Sequence, residues 1–361
     1  MKRVFLLSGL LLGLICLPLA CAVPAQSAVQ SPSAISEPTD TPLPMQETAL
    51  TLTMAPIDTE QTFVPTAPPT PSPTPEPTET PSPEPTDTPA PTPFSIVWLP
   101  DTQQLSYHSP ERLKLLGERI QDVLASENVV CVVHTGDIVD NGFKDWQWDN
   151  FDLALQAFSD SVPFIPVAGN HDIGVNLGSY KAYVQRPFLD AFSDEQKFEG
   201  GKMLCSVLEA GGERILLLGV GWGAGKTAEE LAWIDDVMTA YGDLPCILLT
   251  HGYLTSQKRI LPSCRYLETN IAAKYPNVRL VLSGHSRDYY AMTSVYGEGD
   301  SERTVNALML NKQGAAYCFR VLTFDPILRS ISVKTHALDP NYRVTEVPDL
   351  GPIDCVLENA Y

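Results

Sequence analysis

Val129-Val130-Cys131-Val132-Val133-His134-Thr135-Gly136-Asp137-Ile138-Val139-Asp140 opens as a short, β-branched apolar run and breaks into polar residues. Five apolar residues are too few for a helix but suit a strand buried on both faces, the kind found in parallel sheets. The same grammar recurs along the chain. Residues 94–99 are apolar and stop at Pro100-Asp101, and 164–167 run into Ala168-Gly169-Asn170-His171-Asp172. Residues 246–249 lead to Thr250-His251-Gly252, and 278–282 to Ser283-Gly284-His285. Between these runs the period changes to that of a helix. Pro110 opens one through about Ser126, with Leu113, Leu116, Ile120 and Leu124 on one face. Further helices are expected near 145–158, 227–240 and 267–275. More strands are expected at about 203–208, 214–219, 289–294, 304–308, 316–324 and 330–334, and a loop-rich insertion over 173–200. Alternating strands and helices of this kind imply an α/β fold, two packed mixed β-sheets flanked by helices.

Five strand ends therefore carry metal-capable side chains: Asp101, Asp137, Asn170, His251 and His285. In α/β sheets ligands gather outside the carboxyl ends of strands, so residues distant in sequence can meet there. A lone aspartate after a strand is ordinarily a cap or turn former, and a lone histidine a satisfied polar residue. The weight lies in the joint occurrence: three of the six histidines, His171, His251 and His285, fall on these loops. Mixed Asp, Asn and His donors suit Mn, Fe or Zn.

Gly136-Asp137-Ile138-Val139-Asp140, Gly169-Asn170-His171-Asp172, His251 and Gly284-His285 resemble, in order, the blocks of the calcineurin-like metallophosphoesterases. The resemblance covers roughly residues 94–336. It implies a four-layer sandwich and hydrolysis of a phosphate mono- or diester by metal-activated hydroxide. It further implies Asp137 as a carboxylate shared by two metals, with Asn170, His251 and His285 completing one sphere and Asp101 serving the other. Two cations about 3.5–4 Å apart can activate a nucleophile and neutralise phosphoryl charge. His171 resembles the family's non-ligand histidine, which stabilises the oxyanion or protonates the leaving group, and Asp172 is expected to orient its imidazole.

Two blocks depart from the family pattern. The first, ordinarily D-x-H, is Asp101-Thr102-Gln103, and the last, ordinarily G-H-x-H, is Gly284-His285-Ser286-Arg287. Gln103 offers a neutral oxygen in place of imidazole. Arg287 has no acceptor and cannot ligate, yet can bind phosphate in a bidentate manner. The expectation is one or two cations per chain, the Asp101 position being weak, absent or replaced in function by Arg287. His108 is expected on a surface loop and His134 behind the site. A catalytically reduced member that binds a phosphorylated or cell-surface ligand without turnover is the alternative.

The rest of the chain bounds where this chemistry operates. Lys2 and Arg3 precede an apolar stretch, and Leu17-Pro18-Leu19-Ala20-Cys21 resembles a bacterial lipoprotein signal. Residues 1–21 thus read as a leader; an uncleaved membrane helix and free secretion are the other readings, and all three are extracytoplasmic. Residues 22–93 hold nine acids, no bases and a dense Pro/Thr/Ser tract, read as a disordered, polyproline-rich spacer. Residues 94–361 are then the domain to which the resemblance assigns the phosphoesterase, with 34 acids against 22 bases. Such an acidic surface excludes nucleic acid as a high-affinity partner, because phosphate attraction dominates that binding. Six cysteines follow the leader, none with metal-type C-x-x-C spacing, so disulfides are open and buried thiols expected at Cys131 and Cys246. Residues 173–200 and 222–226 are where specificity is expected. The run Gly221–Thr227 only faintly resembles a phosphate-binding loop.

Overall fold

The computed structural model describes residues 90–174, 178–313, 316–338, 344–346 and 356–357. The leader, nearly all of the spacer and Cys355 lie outside the described residues. Among the described residues no helix is long and apolar enough to cross a membrane.

Strands β1 (Phe94–Leu99), β2 (Val129–His134) and β3 (Phe164–Pro166) run parallel in the centre and at one edge of the first sheet. Antiparallel β11 (Tyr317–Asp325) and β12 (Ser330–Leu338) extend it, and β13 (Val344–Glu346) and β14 (Val356–Leu357) both pair with β12. The second sheet has the order β4-β5-β6-β7-β8-β10-β9, from Lys197–Phe198 (β4) and Met203–Ala210 (β5) to Asp288–Tyr296 (β9). Within it β6 (Glu213–Val220), β7 (Cys246–Thr250), β8 (Val278–Ser283) and β10 (Arg303–Asn311) are mutually parallel.

The period of two along β6 sorts its side chains between two cores. Ile215 and Leu217 face the layer between the sheets, with Ile96, Leu99 and Phe319. Leu216 and Leu218 face the opposite side, with Ile234, Val237 and Met238 of α4 (Ala228–Ala240). On the outer face of the first sheet, α2 (Pro110–Ser126) buries Leu113, Leu116 and Ile120, as its sequence period requires, and packs on α3 (Asp145–Leu155). Helix, sheet, sheet and helix form the four layers expected of the fold.

Three differences from the sequence expectation bear on the site. A short helix, α1 (Gln103–His108), follows Asp101 directly; it buries only Leu105 and Ser106, so no apolar period announces it. Residues 265–272 make one α-turn and one π-turn in place of a regular helix, and the buried guanidinium of Arg303 caps its carboxyl end by donating to the carbonyls of Ala272 and Ala273. Finally, β10 continues past Leu308 to Asn311 and carries that residue to the same edge as the other strand ends.

Candidate metal centre

All the chemistry-bearing loops leave the carboxyl ends of β1, β2, β3, β7, β8 and β10. Two of their non-glycine residues adopt left-handed backbone, Asp137 with φ 52° and His285 with φ 68°. This conformation is unfavourable for residues bearing a Cβ and persists only when surrounding bonds impose it. They do so here. The Asp137 carboxylate Oδ1 accepts from the His171 backbone N–H at 2.9 Å. The His285 N–H donates to Asp101 Oδ1 at 3.1 Å, and its carbonyl accepts from Asn311 Nδ2 at 2.9 Å. Glycines leave room for this closeness: a Cβ on Gly169 would lie 2.2 Å from Asp137 Oδ1, and one on Gly284 2.2 Å from Asp101 Oδ2.

The result is a tight knot of donors. Asp137, His251 and His285 each offer a ligand atom within 4.8 Å of the others. His251 Nε2 stands 3.1 Å from Asp137 Oδ2, 3.1 Å from Asn170 Oδ1 and 3.2 Å from His285 Nδ1. Asn170 Oδ1 is also 3.0 Å from His285 Nδ1. The other nitrogen of His251, Nδ1, donates to the Thr135 carbonyl at 2.9 Å, which aims Nε2 into the knot.

Burial alone would push His251 down, but the carboxylates of Asp137 and Asp101 outweigh it and hold the imidazole at about 9. Burial likewise pushes Asp137 up, and its contacts with His251 bring it below the usual carboxylate range. His285 is lowered to about 4, by burial first and then by the charge of His251. In the metal-free chain a single proton on His251 thus occupies the electrostatic role of a cation. A buried carboxylate, two imidazoles and an amide oxygen around one point fit a transition-metal ion.

Asp101 stands outside this donor cluster. Buried, with its carboxyl pushed well up first by burial, it receives Asn311 Nδ2 at 2.9 Å as well as the His285 N–H. Gln103 Oε1 is a buried oxygen without a hydrogen-bond partner among the described residues, which leaves it free to meet a donor or a cation. Asn311, 4% exposed, spans Asp101 and the His285 carbonyl with both amide hydrogens. Asn311→Ala removes both donors, leaving Asp101 with the His285 N–H alone among the described residues, and should lower the unfolding free energy of the metal-free chain by about 1–3 kcal/mol, measured by denaturant titration.

Asp172 does not orient His171. Its two oxygens accept the backbone N–H groups of Val139, at 3.0 Å, and Gly169, at 2.8 Å. Fully buried, it fastens the loop after β2 to the loop after β3, and burial followed by the charge of Asp137 raises it to about 7. The neighbour of His171 is Asp140, whose carbonyl lies 2.7 Å and whose Oδ1 lies 3.4 Å from Nδ1. Asp140, the last residue of the Gly136–Asp140 block, thus faces the imidazole.

The remaining expectations divide. His134 is buried behind the site, with Nδ1 accepting from Gly136 N–H and Nε2 3.1 Å from Thr102 Oγ1. His108 is exposed on the last turn of α1, edge-on to Tyr107. Thr227 caps α4 and Lys226 lies over the Tyr266 ring, so this run is a helix start and not a phosphate loop. Cys131 and Cys246 are buried free thiols, as are Cys205, Cys264 and Cys318. Trp222 packs 4.6 Å from the His285 ring and 5.6 Å from that of His251, bracing both imidazoles. Neither its loop nor the described part of 173–200 lines the main cavity. That cavity, about 550 Å³, holds Asp137, Asn170, His171, His285 and Arg287 on its walls.

A model of the calcineurin-like phosphoesterase family matches residues 94–288, just over half of the sequence and every loop from Asp101 to His285. The chain belongs to the calcineurin-like phosphoesterases. Among curated relatives of this phosphoesterase, the uncharacterised protein YvnB of Bacillus subtilis is 30% identical over 70% of this chain and 21% of its own. A probable cyclic nucleotide phosphodiesterase of Moraxella catarrhalis is 25% identical over 44% of this chain and 58% of its own. The chain thus spans about a fifth of the first relative and under three fifths of the second. Among solved structures, a purple acid phosphatase from yellow lupin (Lupinus luteus) seeds superposes with a TM-score of 0.50 at 16% identity, covering 71% of this chain and 53% of that one. At that identity the likeness shows the shared fold of two mixed sheets between helices.

Proposed function

We propose that this calcineurin-like phosphoesterase hydrolyses a phosphate ester outside the cytoplasm, using one firmly held transition-metal ion. The observation that carries the reading is the convergence of Asp137, Asn170, His251 and His285, from four separate loops, beside a polar cavity. When bound, the cation supplies an activated nucleophile and neutralises phosphoryl charge. Mn, Fe and Zn are the metals this donor set favours.

The chain's own groups supply the rest. Arg287, exposed on the cavity wall, presents a planar guanidinium that matches two phosphate oxygens. His171, held through Nδ1 by the Asp140 carbonyl, directs Nε2 elsewhere, where its protonated form gives a proton to the departing oxygen. Asp101 lacks both of the histidines that accompany it in the family pattern and is already engaged by Asn311 and His285. The basic, apolar start and Leu17–Cys21 support export with a lipid anchor, and the proline-rich spacer supports display away from a membrane.

Purified domain, stripped and reloaded with Mn, Fe or Zn, is expected to turn over generic phosphate esters and to lose that turnover in His251→Ala. Absence of turnover with every metal and ester tried would instead favour a binder of phosphorylated ligands. Elemental analysis after dialysis should find close to one tightly held equivalent per chain. Two equivalents would refute the single-cation reading.

A further inference from the structure

The two histidines of the metal centre are oriented by different means. His251 has its second ring nitrogen held: Nδ1 donates to the Thr135 carbonyl at 2.9 Å, which leaves Nε2 to face the other donors. His285 turns its other nitrogen inward, with Nδ1 3.0 Å from Asn170 Oδ1 and 3.2 Å from His251 Nε2. Among the described residues no hydrogen bond reaches its Nε2. A ligand histidine ordinarily donates through the nitrogen that does not hold the metal, and that bond fixes the ring. The backbone of His285 is fastened to Asp101 and Asn311, but a fastened backbone still leaves a choice of side-chain rotamers.

What stands against this imidazole is Trp222. Its ring centre lies 4.6 Å from that of His285, with 36° between the planes, and it meets His251 edge-on at 5.6 Å. Turning the His285 ring would drive its edge into the indole, which close packing forbids. The neighbouring loops make room for this arrangement. A Cβ on Gly252, directly after His251, would lie 2.6 Å from Trp222 Cζ3. The loop of Trp222 is itself tied on two sides. Its N–H donates to the Ala168 carbonyl at 2.8 Å, in the loop that carries Asn170, and its carbonyl accepts from the Tyr180 hydroxyl at 2.8 Å. The half-buried indole packs against both hydrophobic cores, so it is a fixed surface for the imidazole to rest on.

We infer that Trp222 is a positioning residue of the metal centre, setting the rotamer of His285 by ring contact where a hydrogen bond sets that of His251. Through Tyr180 the 173–200 insertion takes part in holding the centre, although its described residues do not line the cavity. This rests on the metal-centre reading and concerns how firmly the cation is held, not which ester is cleaved.

The test is metal binding by stripped full-length protein, parent and variants. Calorimetry with Zn gives the affinity, and the visible absorption of bound Co records the ligand geometry. Trp222→Leu is expected to weaken Zn binding about ten- to a hundredfold, the usual size for loss of an orienting partner, and to alter the Co absorption. Trp222→Phe keeps a ring against the imidazole and should stay within about threefold of the parent. In a His285→Ala background no ring is left to orient, so Trp222→Leu should add less than about threefold to the loss. A folded Trp222→Leu that binds Zn as the parent does, with the same Co absorption, overturns the inference, even if the stripped variant unfolds at a lower temperature. Trp222→Phe as weak as Trp222→Leu overturns it too, as does an undiminished effect of Trp222→Leu beside His285→Ala. Trp222→Met is read in the same way if Trp222→Leu does not fold. A parent that holds no metal sinks the metal-centre reading itself; a parent that binds tightly beside unaffected variants sinks this inference alone.

Discussion

Asp137→Asn should abolish tight metal binding and, with it, metal-dependent hydrolysis, while leaving the domain folded. The reasoning starts from position. Asp137 is buried, and its Oδ2 sits 3.1 Å from His251 Nε2. An amide there fills the same volume but removes the negative charge around which the site is arranged. Removing one partner of a buried charge pair costs about 3–5 kcal/mol, which corresponds to roughly a hundred- to several-thousandfold in cation affinity. The substituted side chain can still accept the His171 N–H through its amide oxygen, so the loops keep their registration. The measurement is calorimetric titration of Zn or Mn into the stripped variant and the parent, followed by initial rates with a phosphate ester. Metal affinity within threefold of the parent would show that Asp137 is not a ligand and would undo the site as drawn. A variant that binds metal weakly but regains rate at high metal concentration would place the loss in binding and not in chemistry.

The parts of this site that were legible in the sequence were those expressed by a strand ending abruptly. Each of 94–99, 129–133, 164–167, 246–249 and 278–282 is a run whose period and length allow few readings, and each hands over to polar residues at once or within a short turn. That is why Asp101, Asp137, Asn170, His251 and His285 were visible together, and why the two-sheet architecture followed. The contributions of Thr135, Asp140 and Asn311 were not visible. Thr135 acts through its backbone carbonyl, which no side-chain identity announces. Asp140 acts on His171 across 31 positions, a pairing decided by how two loops pack. Asn311 was reachable: Met309-Leu310 prolongs the apolar run of β10, and reading the strand to its end would have added a sixth polar terminus. The reverse error, giving Asp172 to His171, came from adjacency in sequence. Adjacency says nothing of direction on a tight turn, and the Asp172 carboxylate serves the backbone of Val139 and Gly169 instead. The single-cation expectation follows the same logic, since Gln103 and Arg287 are chemical facts of the sequence whereas Asn311's hold on Asp101 is a fact of the fold.

Raising the pH from about 6.5 to 9 should destabilise the metal-free domain and strengthen its metal binding. Both effects draw on the proton on His251, and Asp172, raised to about 7, adds to the first as it ionises over the lower part of this range. The folded imidazole is held at about 9, above the ordinary 6.5, by Asp137 and Asp101 against the opposing effect of burial. A histidine whose folded pKa is raised contributes stability that is fully present below its unfolded value. That contribution is lost as the pH climbs through the folded one. The window is therefore 6.5 to 9, and below 6.5 this group adds no further slope. His285, lowered to about 4, is already neutral throughout that window and contributes little to the change. A cation bound at the same point must displace the His251 proton, so binding releases a proton at pH 7 and ceases to do so above about 9. Thermal unfolding of stripped protein across this range should show a falling midpoint, and metal-loaded protein a midpoint much less sensitive to pH. Calorimetry of Zn binding at pH 7 in buffers of different ionisation enthalpy should show close to one proton released per metal. No proton release at pH 7 would mean that His251 is neutral before the metal arrives. The carboxylates of Asp137 and Asp101 would then be balanced by something other than that imidazole.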